Sequence, residues 1–260
     1  MLDWLYNFPE PLTLALSAAF LATSIVFLPR LVRRVRQLAP SDANTDFIVR
    51  IQTPLFTMTS IALAFTLVQA DHNFRQVDAL VSTEAAQINQ LDRLLARYGE
   101  DQANKVRPML HTYARSIVKD EWPAMLRDRG NDGTGQAFTP ISQRILSIEP
   151  STRRQALIFA EMLKSLDLVA ESRASRLNTL TVGLPAIYWE VILFAVAMLV
   201  FVTSTIEQTP FRSAVLGAQM AVLGAFVGFV FLMDQPFKGQ TAVTPDALIR
   251  VISTMEARRE

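Results

Sequence analysis

Four apolar runs, at residues 11–29, 51–70, 184–206 and 214–233, stand two and two around a charged middle at 71–183. At about 1.5 Å of rise per residue, ~20 apolar residues span a ~30 Å hydrocarbon core, so each run is long enough to cross a bilayer as a helix. The stretch 191–202 is apolar all round, which suits lipid better than a soluble core. The pattern predicts an all-α integral membrane protein of four transmembrane helices with a helical extramembrane region between the second and third. Its expected parts are a first hairpin at 1–70, the extramembrane region at 71–183, a second hairpin at 184–233 and a tail at 234–260.

The middle region carries a second period. From Phe74, apolar residues fall at Val77, Val81, Ala85, Ile88, Leu91, Leu95 and Tyr98, steps of three and four that draw one stripe on a helix. No breaker separates Ala70 from Phe74, so the second span is expected to run on into this helix. A further helix is expected around Val106, Leu110, Tyr113 and Ile117, ending before Pro123, with Gly130, Asn131, Asp132, Gly133 and Gly135 as a loop. Thr139-Pro140 reads as the opening of a short helix. Thr152 and Gln155 have capping-box spacing for a long one.

Composition narrows the function. Half of the residues are hydrophobic and the net charge is +1, which argues against a nucleic-acid partner. With no cysteine, disulfides, thiolate metal sites and cysteine nucleophiles are excluded. His72 and His111 are the only histidines and form no ligand pair, so neither a metal site nor a cofactor is expected. Asp120 and Glu121 are adjacent and point to different sides of a helix, which reads as a solvated face rather than an acid and base pair. No phosphate-binding glycine loop or serine elbow occurs, and an enzyme is not expected.

The first run follows an acidic, aromatic start and precedes arginines, the reverse of a cleavable signal, and reads as a retained anchor. Arginine far outnumbers lysine, a bias that suggests a bacterial genome, and the bacterial inner membrane is the expected location. Arg30, Arg33, Arg34, Arg36 and Arg50 crowd the first interspan loop, which the positive-inside rule places in the cytoplasm.

Polar positions inside the spans are the candidates for an ion path. Thr53, Thr57 and Ser60, continued by Ala64, make a small and polar track through the second span, suited to water or to helix packing. Ile61 and Phe65 share another face, where a ring of apolar side chains could stop ions by dewetting. In the fourth span Gly217, Ala221, Gly224 and Gly228 form a small-residue packing stripe beside Gln219, which can hydrogen-bond a neighbouring helix. Thr181-Val182-Gly183-Leu184 echoes the start of a potassium filter, yet Pro185 stands where the second glycine belongs. A helix break is the better reading.

After the last span, Asp234-Gln235-Pro236-Phe237-Lys238-Gly239, followed by Val243, Pro245 and Ala247-Leu248, resembles the signature of the bestrophin-like family of bacterial membrane proteins. Glu84-Ala85 and Gly183-Leu184-Pro185 with Trp189 are similar to its other recurring features. The resemblance implies a distant likeness to bestrophins, oligomeric anion channels with four spans per subunit and a pore lined by the second. It also implies that the middle region is cytoplasmic, against the charge count. Lys238-Gly239-Gln240 replaces the acidic cluster that helps bestrophins hold calcium, so calcium gating is not implied. The expectation is a homo-oligomer of four or five subunits in the lipid bilayer, passing inorganic ions and most readily anions. Asp71 and Asp234 at a pore mouth would favour cations, and Arg75 anions. A cation channel of potassium type and a non-conducting sensor or scaffold are the alternatives.

Overall fold

The structure is a computed structural model that describes residue 6 and residues 8–32, 42–207 and 209–258. Arg33, Arg34 and Arg36 of the arginine-rich loop lie outside the described residues. Among the described residues nine α-helices follow in order: α1 (Glu10–Val32), α2 (Asp42–Tyr98), α3 (Asp101–Ser116), α4 (Trp122–Met125), α5 (Asp132–Leu146), α6 (Arg153–Asn178), α7 (Ala186–Ser204), α8 (Pro210–Met233) and α9 (Asp246–Ala257). A π-helical turn, Ile117–Glu121, joins α3 to α4. No strand occurs among the described residues.

Helices α1, α2, α7 and α8 are long and apolar enough to cross a membrane, and the chain is an all-α integral membrane protein. Helix α2 runs unbroken for 57 residues, about 85 Å at 1.5 Å per residue, far more than a bilayer core requires. The chain divides into two compact units, Met1–Phe74 with Gly183–Ala242, and Arg75–Val182 with Val243–Glu260.

In the first unit α1 packs along α8, and small residues set the approach. A Cβ on Gly224 would fall 2.9 Å from the Ala18 Cα and collide with the Ser17 carbonyl, and one on Gly228 would collide with the Ser17 side chain. Gly217 faces open space instead, so the packing stripe begins later than its sequence pattern suggests. Leu21, Ile25, Leu63, Ile192, Leu199 and Leu223 fill the core of this unit. The Gln52 amide donates to the Gln219 side-chain oxygen at 2.9 Å, the interhelical bond expected of Gln219.

The second unit is built on the stripe read from the sequence, since Val77, Val81, Ala85, Ile88, Leu91, Leu95 and Tyr98 are all buried. The Thr152 and Gln155 capping box opens α6 as anticipated. Two boundaries differ from expectation. Helix α5 begins at Asp132, not at Thr139, because the Asn131 side chain accepts the Thr134 N–H at 2.9 Å. That cap lets Gly133 and Gly135 lie inside the helix despite their cost of about 1 kcal/mol each. The helical path also continues past Pro123, which occupies the first turn of α4, where a missing N–H matters least.

Candidate pore face and buried ion-pair clusters

Helix α2 has a packed side and an open side. Gln52, Thr59, Leu63, Thr66 and Ala70 are buried, whereas Thr53, Thr57, Met58, Ile61, Ala64, Phe65 and Val68 are exposed and Ser60 is half-buried. Ile61 and Phe65 therefore stand beside Thr57 and Ala64 on a single broad face, not on a separate one. The hydroxyls of Thr53 and Thr57 donate to the carbonyls of Val49 and Thr53, so what they present outward is lone pairs on a short polar track. Phe65 also borders an apolar groove with Ala62, Thr66, Ile187 and Val191, which places Ile61 nearer the middle of the open face.

Beyond the span the same helix keeps an open side. Arg75, Arg93 and Arg97 are exposed on it, with Asp78 as the exposed carboxylate, while Asp71 is half-buried. The other two acids of this stretch, Glu84 and Asp92, are turned inward and fully buried. The exposed charge of the extramembrane part of α2 is thus mainly positive.

Glu84 anchors a neutral cluster of two carboxylates and two guanidinium groups. The Arg176 Nε–H donates to Glu84 Oε2, and its Nη2 donates to Glu84 Oε1 at 3.1 Å and to Glu121 Oε2 at 2.7 Å. Arg173 donates to both oxygens of Glu121 from the other side. Glu121 is therefore no solvated residue: the π-helical turn aims it into the unit, where it is fully buried. Burial pushes its carboxyl up, but the Arg173 hydrogen bond and the Arg176 charge outweigh this and hold it below the usual carboxylate range. Burial opposes the charge on Arg176, yet Glu84 and Glu121 prevail and raise it. Burial, reinforced by Glu84, raises the Tyr113 phenol.

A second cluster centres on Asp92, which accepts from Arg107 Nε at 2.9 Å and from Arg258, with His111 Nε2 at 3.5 Å. Arg258 also donates to Asn89 at 2.6 Å, so these bonds tie the end of α9 to α2. The tail expected at 234–260 thus contains a packed helix, and its sequence signal is Leu248, Ile252 and Met255 following Pro245-Asp246 at helical spacing.

The residues after α8 build a joint. Asp234 accepts the Leu184 N–H and, at 3.1 Å, the Trp189 Nε1–H, which leads the chain into α7. Burial raises its carboxyl and these two hydrogen bonds oppose the rise. A Cβ at Gly183 would crowd this joint, lying 3.1 Å from Gln235 Nε2, 3.2 Å from Asp234 Oδ1 and 3.3 Å from the Asp234 carbonyl oxygen, so these atoms would have to give way slightly. Residues 181–185 are a helix break that ends at Pro185, the cap of α7, in place of a filter. Pro236 and Phe237 are buried beside it. Among the described residues no group of acids or histidines is spaced to hold a metal ion.

Four helices apolar and long enough to span a bilayer, together with a helical unit held by buried ion pairs, define a polytopic α-helical membrane protein with a helical extramembrane region. The Bestrophin-like domain matches residues 16–248, and the chain belongs to the Bestrophin-like family. The fold is shared with a bacterial Bestrophin homolog from Klebsiella pneumoniae. A single-residue variant of that homolog has a TM-score of 0.67 at 13% identity, covering 95% of this chain and 97% of that one. A structure of the homolog solved by zinc phasing gives 0.65 at 14% identity, covering 95% and 98%. A further structure, of a membrane protein carrying one proline-to-alanine change, gives 0.64 at 14% identity, covering 95% and 96%. No functionally curated protein matches the sequence.

Proposed function

We propose that this chain forms a homo-oligomeric ion channel of the bacterial inner membrane, lined by the open face of α2 and conducting anions. The observation that carries the reading is the sorting of residues on that helix. Inside the span the open face holds Thr53, Thr57, Ile61, Ala64 and Phe65, an apolar path with a few hydroxyl oxygens. Past the span, in the extramembrane region proposed at 71–183, it holds Arg75, Arg93 and Arg97, while Glu84 and Asp92 are withdrawn into the interior. A cationic vestibule concentrates anions and repels cations. Asp234 is held by backbone and indole donors and so serves the joint before α7 rather than a pore mouth. Ile61 and Phe65 are the proposed constriction, because a ring of large apolar side chains closes a pore by dewetting.

The deciding experiment is the reversal potential of the purified protein in a planar bilayer under a potassium chloride gradient. It should lie toward the chloride equilibrium value, and charge reversal at Arg75, Arg93 and Arg97 together should move it toward potassium. A wild-type reversal at the potassium value would replace the anion reading by a cation channel. Absence of current from correctly assembled protein would leave a scaffold.

A further inference from the structure

The second unit contains a groove that shares only Arg93 with the proposed conducting path and has otherwise no part in it. It lies between α2 and α6, has a volume of about 360 Å³, and is lined by Gln87, Gln90, Arg93, Glu161, Lys164 and Ser165. That size is within the range of small-molecule sites. Ala86 and Leu168 complete the lining, so six of its eight residues are polar or charged.

The floor carries the second observation. Ser165 is only 3% exposed, and its hydroxyl has no hydrogen-bond partner. A helical serine normally satisfies itself on the carbonyl one turn back, as Thr59 and Thr66 do in this chain. A buried donor left unmade is costly, so its presence at the floor of a polar groove calls for a ligand acceptor.

The rim specifies what that ligand is. Arg93 and Lys164 bring two positive charges and Glu161 one negative, a surplus of one that suits a monoanion. Arg93 is partly oriented by its bond to the Gln90 oxygen at 2.5 Å and offers a planar fork of donors matched to a carboxylate. Glu161 accepts only, and the amides of Gln87 and Gln90 both accept and donate, so the remainder of the ligand must carry donors. Hydroxyl groups meet that need. The geometry points to a binding site for a small hydroxycarboxylate, with its carboxylate on Arg93 and Lys164, its hydroxyls on Glu161 and the glutamines, and Ser165 donating to it from below. The site goes beyond the channel reading and does not depend on it, since binding is read without current.

The test is calorimetric titration of the full-length protein, purified in its oligomeric state, with sodium gluconate, sodium acetate and sodium chloride as probes. Gluconate should bind saturably, and at least tenfold more tightly than acetate or chloride. Lys164→Ala and Arg93→Ala should each weaken gluconate tenfold or more. Ser165→Ala separates a ligand role from a structural one. It should weaken gluconate about fivefold while leaving the melting temperature of the unliganded protein unchanged or higher, because it removes an unsatisfied hydroxyl. Gluconate that does not saturate by 50 mM, chloride that binds as tightly, or a Ser165→Ala protein that melts lower and still binds normally would each overturn the proposal.

Discussion

At Glu121 the preference of a carboxylate for water is overturned by two guanidinium groups, and the sign of that arrangement can be followed with pH. Its folded carboxyl lies below the ordinary value of 4.5, so the stability it contributes is fully present above that value. The contribution drains away as pH falls through the lower, folded value. Melting curves should therefore shift down steeply below about pH 4.5 in the native chain, and Glu121→Gln should flatten that limb while costing stability at neutral pH. Removing Arg176 is harsher, because it leaves Glu84 and Glu121 buried with one guanidinium fewer. Arg176→Ala should cost about 3–5 kcal/mol in chemical denaturation. None of this was legible locally: Arg173 and Arg176 lie 52 and 55 positions from Glu121, and a π-helical turn shifts the register that would have put it on a wet face. On the span itself, Ile61→Ala with Phe65→Ala should raise open probability without changing assembly, as single-channel records would show. Unaltered current would transfer the pore role to Thr53, Thr57 and Ser60 alone.

Elements were easiest to read where one side chain in three or four reports the same environment. The stripe from Val77 to Tyr98 needed only polarity and period, and the four spans needed only length. Caps and close approaches were harder, because a glycine looks the same in a loop, in a helix and at a crossing. Gly130 to Gly135 suggested a loop, yet the Asn131 cap starts α5 among them, and in α8 the pattern could not tell Gly217 from Gly224. The structure separates the last two by what a side chain would meet. Gly224→Leu should force α1 from α8 and destabilise the membrane unit by about 1–3 kcal/mol or more, whereas Gly217→Leu, facing open space, should leave it nearly unchanged. Unfolding in mixed detergent compares the two. Equal losses would mean that the α1 and α8 contact is not the one described.

For the whole molecule, the large apolar side chains left on its surface indicate what surrounds it. Phe20, Phe27, Phe194 and Phe211 are each more than two-thirds exposed on α1, α7 and α8, where acyl chains or neighbouring subunits are the natural cover. The few hydroxyls on the open side of α2 line nothing unless copies of the chain gather round an axis. A closed ring of four or five subunits is the expected assembly. The absence of cysteine makes the check clean: in native membranes Thr57→Cys should react with water-soluble thiol reagents, and crosslinking should end at a single multiple of the subunit mass. A protein that remains monomeric by both criteria would end the central-pore reading.

The joint at Asp234 has a consequence for synthesis. Its carboxylate lies 50 and 45 positions after the Leu184 N–H and the Trp189 indole that it accepts from, so the entry to α7 has no partner until α8 has been made. The last two spans are therefore fastened from the far end of the second, after both have left the ribosome.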